Sequence, residues 1–296
     1  MRIVSLVPHA TELLFALGLG DQVVGVTHEC DFPAEAAERQ PVTRDVLDAG
    51  PSPAAIDRAV RERTERGESI YELDEEIMHE LEPDIIVTQA LCHVCAVSVD
   101  EVQALAQSLP GPPRVISLDP RTYGETLGDV RTIAQATDSR DAALGLIARM
   151  ARRADAVRLA VRDAPRPRVV ALEWLDPVFV AGHWTPQLIE MAGGEDVLGF
   201  AGEPSRTVTW EEVAAAQPEI VVVMPCGYDA ARALVEAEEF DEKLRSLGAD
   251  QVVAVNASAY FSRPGPRLAD GLELLAHILH PDRVPSAPAE ALAVEL

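Results

Sequence analysis

The chain has 296 residues, enough for about two domains at ~150 residues each. It is 48% hydrophobic, 25% charged and 4% aromatic, which excludes wholesale disorder, collagen-like repeats and a small disulfide scaffold. Its net charge of -24, with Lys243 the lone lysine, opposes phosphate backbones and anionic lipid, so nucleic-acid binding and membrane adhesion are set aside.

Arg2 to Val7 reads as a strand, and Thr11 to Leu17 as a helix that Gly18 and Gly20 end. Val23 to Val26 is a second strand. Asp74 to Leu81 places Ile77, Met78 and Leu81 on one helical side, and Pro83 stops it before a short buried strand, Ile85 to Val87. A helix over Val99 to Leu109 and a strand over Arg114 to Leu118 follow. Residues 138–163 are rich in Ala, Leu and Arg, contain only Gly145 as a breaker, and predict a helix about 39 Å long at ~1.5 Å per residue. After the break Ala164-Pro165-Arg166-Pro167 the plan restarts. Strands are expected at Arg168 to Leu172, Ile220 to Val223 and Gln251 to Val255, and helices at Pro186 to Ala192 and Leu268 to Leu279.

This alternation predicts parallel sheets covered on both faces. The fold class is therefore α/β: two Rossmann-like lobes with parallel sheets joined by one long backbone helix. The divisions are an N-terminal lobe over 1–137, the connecting helix over 138–163, a C-terminal lobe over 164–281 and a loose tail over 282–296. Two segments also echo one another. Leu81-Glu82-Pro83-Asp84-Ile85 resembles Ala216-Gln217-Pro218-Glu219-Ile220, and the stretch from Leu14 to Gly25 resembles that from Ile189 to Gly199. The preserved order favours two similar lobes.

No apolar run approaches the ~20 residues needed to span a bilayer. The run after Arg2 breaks at Pro8-His9, and no A-x-A-like cleavage site follows Leu13 to Leu19. A cytoplasmic location is therefore expected; the alternative is an extracytoplasmic one, if the sequence is trimmed from a longer exported chain.

In open α/β sheets, ligands bind outside the carboxyl ends of the strands. Those ends deliver Pro8, His9, Ala10, Thr11 and His28 in the first lobe. In the second they deliver Trp174, His183, Trp184, Tyr260, Phe261 and Arg263. Four rings at predicted mouths, in a chain with only six Phe, three Trp and four Tyr, suit a bulky apolar ligand with a polar rim. Cys30, Cys92, Cys95 and Cys226 also follow predicted strands, and Cys92-His93-Val94-Cys95 has C-x-x-C spacing. Three readings stay open for them: inert thiols, a Cys92–Cys95 disulfide, or soft ligands for a metal ion. Catalytic motifs are absent: there is no G-x-S-x-G, H-E-x-x-H or Walker A lysine. An enzyme is not expected.

The opening Arg2-Ile3-Val4-Ser5-Leu6-Val7-Pro8-His9-Ala10-Thr11-Glu12, then Ala16-Leu17-Gly18 and Val23-Val24-Gly25-Val26-Thr27, resembles the cobalamin-binding proteins of ABC importers. These belong to the helical-backbone (class III) periplasmic-binding-protein family. Pro83-Asp84-Ile85-Ile86, Ala192-Gly193-Gly194 and Tyr260-Phe261-Ser262-Arg263-Pro264-Gly265-Pro266-Arg267 extend the likeness over residues 1–281. The resemblance implies a non-enzymatic protein that holds cobalamin or a related corrinoid between two lobes, with an ABC permease as partner. Carried over by position, Pro8 to Thr11, His28, Trp174, Trp184 and Tyr260 are its expected contacts. Ferric siderophore or haem is the alternative cargo, and a cytosolic metal or Fe–S protein using the four cysteines is the alternative class.

Overall fold

Short, fully buried β-branched runs alternate with capped helices, and the computed structural model resolves the alternation into two units. It describes residues 1–47, 53–66, 69–90, 97–289 and 291–295. The first unit comprises residues 1–120 and 127–147, the second residues 121–126 and 148–296.

The first unit contains β1 (Ile3–Ser5), α1 (Pro8–Ala16), β2 (Val23–Val26), β3 (Gln40–Pro41), β4 (Thr43–Asp45), α2 (Pro53–Glu65), β5 (Tyr71–Leu73), α3 (Glu75–Leu81), β6 (Ile85–Gln89), α4 (Val99–Ser108) and β7 (Arg114–Leu118). Its main sheet has the order β3-β2-β1-β6-β7, parallel throughout, and β4 pairs with β5 as a separate antiparallel ribbon. Val4, Leu6 and Ile86 pack with Met78, Val102 and Leu105 from the flanking helices to form the core of one face. The chain passes between units inside α5 (Tyr123–Thr137) and again inside α6 (Arg140–Val161), which lies within the stretch 138–163 expected to be helical.

The second unit continues with β8 (Arg168–Leu175), β9 (Val178–Val180), α7 (Thr185–Met191), β10 (Glu195–Asp196), β11 (Arg206–Thr207), α8 (Trp210–Ala215), β12 (Ile220–Val223), α9 (Ala230–Glu239), α10 (Asp241–Ser246), β13 (Gln251–Val255), α11 (Ala257–Tyr260), α12 (Leu268–Leu279) and β14 (Ala291–Ala293). Its sheet order is β11-β9-β8-β12-β13-β14, with β10 also on β8. The central β8, β12 and β13 are parallel; β9 runs antiparallel between β8 and the edge strand β11, and β14 pairs antiparallel with β13 at the other edge. The tail expected to be loose therefore ends in a strand. Ala291, Leu292 and Ala293 pair with Val255, Ala254 and Val253, covering an edge that would otherwise leave its backbone groups open. Within this unit Arg153 of α6 grips Glu273 of α12 through two bonds of 2.7 Å and adds Asp270 at 2.5 Å, a bidentate clamp.

The echo seen in the sequence is reproduced bond for bond. Arg2 donates its backbone N–H to the Asp84 carboxylate at 2.7 Å and its Nε to the Leu81 carbonyl at 2.6 Å. Arg168 donates its N–H to the Glu219 carboxylate at 2.7 Å, and its guanidinium reaches the Ala216 carbonyl at 2.6 Å. In both places a residue with left-handed backbone, Glu82 (φ 39°) or Gln217 (φ 47°), precedes the proline and turns the chain into a central strand. The second echo repeats a helix stop. Gly18 (φ 76°) and Gly193 (φ 87°) end α1 and α7 with the same pair of reversed bonds, Leu19 to Leu14 and Gly18 to Phe15, Gly194 to Ile189 and Gly193 to Glu190.

The two glycines differ in what surrounds them. A Cβ at Gly18 meets nothing within 4 Å, whereas one at Gly193 lies 2.7 Å from His280 Nε2 and 2.9 Å from Val161. Gly18→Ala is expected to cost about 1 kcal/mol from backbone conformation alone. Gly193→Ala is expected to cost at least ~1 kcal/mol more, because the packed neighbours must move. Urea unfolding of both variants measures this; equal losses would show that His280 yields freely.

Candidate functional site

In the first unit β1, β2 and β6 bring their carboxyl ends to one edge. Pro8 stands in the first turn of α1, where its fixed φ and missing N–H are harmless. The helix thus starts earlier than the periodicity indicates. Consequently His9, Ala10 and Thr11, expected at a ligand mouth, are instead buried at 3%, 0% and 0% exposure, and only Pro8 is half-exposed. Thr11 Oγ1 donates to Ser5 Oγ at 2.8 Å and lies 3.1 Å from Cys30 Sγ, which Thr27 Oγ1 approaches at the same distance. The buried Cys30 thiol sits among hydroxyls.

His28 is exposed beside that cluster. Its Nδ1 lies 2.8 Å from Thr43 Oγ1, and its ring meets Tyr71 edge-on at 5.1 Å. The Tyr71 hydroxyl donates to Glu29 at 2.9 Å. Tyr71 was no part of the expectation, because it arrives through the β4–β5 ribbon and no local motif marks it.

In the second unit the parallel register of β8, β12 and β13 gathers three loops at one edge. The Cys226 N–H donates to the Glu173 carbonyl at 3.2 Å, and the Ser258 N–H to the Tyr228 carbonyl at 3.0 Å. The Gly227 N–H reaches Ser262 Oγ at 3.3 Å. On this frame half-buried Trp174 meets Tyr228 edge-on, with ring centroids 5.6 Å apart. Arg232, in the first turn of α9, lays its guanidinium 3.7 Å from the Tyr228 centroid and donates to its hydroxyl at 3.0 Å. Burial pushes the Tyr228 hydroxyl above its ordinary range, so it stays neutral. Tyr260 is half-exposed, with Arg267 stacked at 5.9 Å.

Two expected contact rings are packing residues. Trp184 and Phe261 are 5% and 3% exposed, and Trp184 Nε1 donates to the Phe261 carbonyl at 2.7 Å, which satisfies the indole inside the core. Arg263 is half-buried, as is His183, whose backbone is left-handed (φ 52°) and tied to Gly202 and Glu203. Of the proposed sulfur ligands, Cys30 is buried and Cys226 exposed, while Cys92 and Cys95 lie outside the described residues. Among the described residues no three His, Cys, Asp or Glu side chains cluster to hold a metal ion.

The profile of the family described as periplasmic binding protein matches residues 3–253. The chain belongs to that family. As a member of it, the chain is a binding protein and not an enzyme. A vitamin B12-binding protein of Vibrio cholerae is 23% identical over 289 residues, which cover 92% of this chain and 86% of that protein. The crystal structure of the periplasmic vitamin B12 binding protein of Vibrio cholerae aligns with a TM-score of 0.68 at 21% identity, over 94% of this chain and 96% of that one. The periplasmic heme-binding protein of Roseiflexus sp. RS-1, in apo form, gives 0.62 at 24% identity over 92% and 95%. The two structures establish a shared fold.

The cytoplasmic location is thereby corrected: the family and both structural relatives are periplasmic, which points outside the cytoplasm. The opening strand belongs to the folded protein, and a folded strand carries no address. No helix among the described residues is long and apolar enough to cross a membrane.

One group at the second edge titrates in an accessible range. Glu236, a turn beyond Arg232 on α9, is 4% exposed, and its carboxyl lies beside the Tyr228 hydroxyl. Burial pushes its carboxyl from 4.5 up to about 7, against the pull of Arg232. The fold then holds a proton that the unfolded chain releases between those two values, so stability is full at low pH and falls as pH rises through about 7. Glu236→Gln removes this titration. The variant should gain on the parent by an amount on the order of 2 kcal/mol between pH 5 and pH 8. A pH-independent difference in melting temperature would mean that the carboxylate is ionised throughout.

Proposed function

We propose that this chain binds cobalamin or a related corrinoid outside the cytoplasm and delivers it to an ABC permease. The supporting observation is the pair of partly exposed rings on loops at the carboxyl edge of the second sheet, Trp174 braced by Tyr228 and Tyr260 by Arg267. Such rings offer large apolar area at low entropic cost to a flat macrocycle. The names of the sequence relatives agree with this cargo.

In this reading Trp174 and Tyr260 contact the ring, and Arg263 and half-buried His183 contribute to its rim. On the first unit, His28 has Nδ1 engaged by Thr43, which leaves Nε2 as its other ring nitrogen. Haem or a ferric siderophore is a second reading, favoured by the arginines at the second edge, Arg232 and Arg267.

Titrating the protein with cyanocobalamin, followed by tryptophan quenching and calorimetry, tests the proposal. One saturable site is expected, weakened about tenfold or more by Trp174→Leu, which keeps apolar fill while removing the ring. Binding of haemin with none of cyanocobalamin would transfer the function to the second reading. Binding of neither would overturn the corrinoid and haem readings and leave the ferric siderophore as the cargo to test.

A further inference from the structure

In a chain with 49 acids, arginines are readily taken up by carboxylates. Arg44, Arg153, Arg166, Arg168 and Arg245 each sit within ion-pair distance of one. Among the described residues Arg232 makes no such ion pair; its guanidinium is held by Tyr228, through ring and hydroxyl together, and Glu236 acts on it only through space. Asp229, its nearest acid in the chain, is engaged in capping α9, where its Oδ1 accepts the Arg232 N–H at 2.8 Å. Glu236 shares the helical face but is buried, and the fold disfavours its charge.

Arg232 is also exposed and stands where β12 hands over to α9, at the carboxyl edge that open parallel sheets present to ligands. A guanidinium ordered in advance on an aromatic face loses little freedom when it meets a partner. The partner it fits is a planar or tetrahedral anionic oxygen group, which accepts two parallel N–H bonds.

We propose that Arg232 is a specificity-determining residue that receives an anionic oxygen group, phosphodiester or carboxylate, on the rim of the ligand. The inference deepens the corrinoid reading, on which it rests for the scaffold that carries the anion. In cobalamin the anion is the phosphodiester of the nucleotide loop; in haem it is a propionate. Cobinamide keeps the corrin ring and lacks the phosphodiester.

The test compares the full chain with Arg232→Gln against cyanocobalamin, dicyanocobinamide and haemin, by calorimetry at one pH and salt concentration. The variant should lose about tenfold or more for whichever anion-bearing ligand the parent binds. Its affinity for dicyanocobinamide should stay unchanged, which also reports that the fold survives. If the parent binds cyanocobalamin and the variant loses nothing, or loses dicyanocobinamide equally, the role of Arg232 is overturned and the corrinoid reading stands. If only haemin binds and the variant loses it, the corrinoid reading fails while Arg232 keeps its role. Binding of none of the three overturns both.

Discussion

Parallel pairing sends β8, β12 and β13 to the same edge, and that constraint places the candidate side chains on the loops that follow them. β8, β12 and β13 are apolar along nearly their whole length because both faces are covered. Polar and aromatic chemistry is therefore displaced to the loops that follow them. Those loops cannot drift apart, since their backbone groups bond across strand ends, Cys226 to Glu173 and Ser258 to Tyr228. Trp174, Tyr228 and Arg232 form a stack on this closed frame. At the opposite edge the same register meets a different need, and acidic side chains, Asp84 and Glu219, secure the entry of the first strand in each unit.

What the sequence disclosed was governed by locality. The strands at Ile85, Arg168, Ile220 and Gln251 were legible because continuous buried runs bounded by Pro or Gly have few other uses, and the edge strand at Arg114 because Pro112-Pro113 introduces it. The echo around Pro83 and Pro218 was legible for the same reason, and its hydrogen bonds now give it a physical meaning. Burial at the strand ends was not legible. Pro8 starts a helix rather than a loop, which turns His9 and Thr11 inward, and Trp184 and Phe261 satisfy one another inside the core. Nor does any local pattern join Tyr71 to His28, a pair that exists only after tertiary packing. Tyr228 and Arg232 stand only four residues apart, but Tyr228 precedes the helix, so helical periodicity does not mark the pair.

The contrast between the aromatic residues follows from how each polar atom is satisfied. Trp184 has a backbone carbonyl for its indole N–H and is covered completely. Trp174 has no hydrogen-bond partner for its Nε1 and keeps part of its ring at the surface. A half-covered indole whose donor is unused is poorly explained by packing alone, since core positions favour rings whose polar atoms are paired. Its place at the strand edge supplies the missing reason.

The acidity of the chain sharpens rather than opposes this account. A net charge of -24 raises the free energy of bringing any anion near the surface, so an anionic rim is tolerated only where a fixed cation compensates locally. An arginine paired with a carboxylate cannot do so, because its charge is already cancelled. One held by a neutral phenol can, since the ring orients the guanidinium while leaving its positive charge intact. The burial that disfavours the Glu236 anion acts in the same direction, weakening the compensation that a carboxylate on the same helical face would supply. The second edge thus combines partly exposed aromatic rings with an arginine ordered on one of them, in a protein whose long-range field repels anions. On the proposed reading, that combination would discriminate by contact, admitting an anion only when a broad ring brings it to the right place.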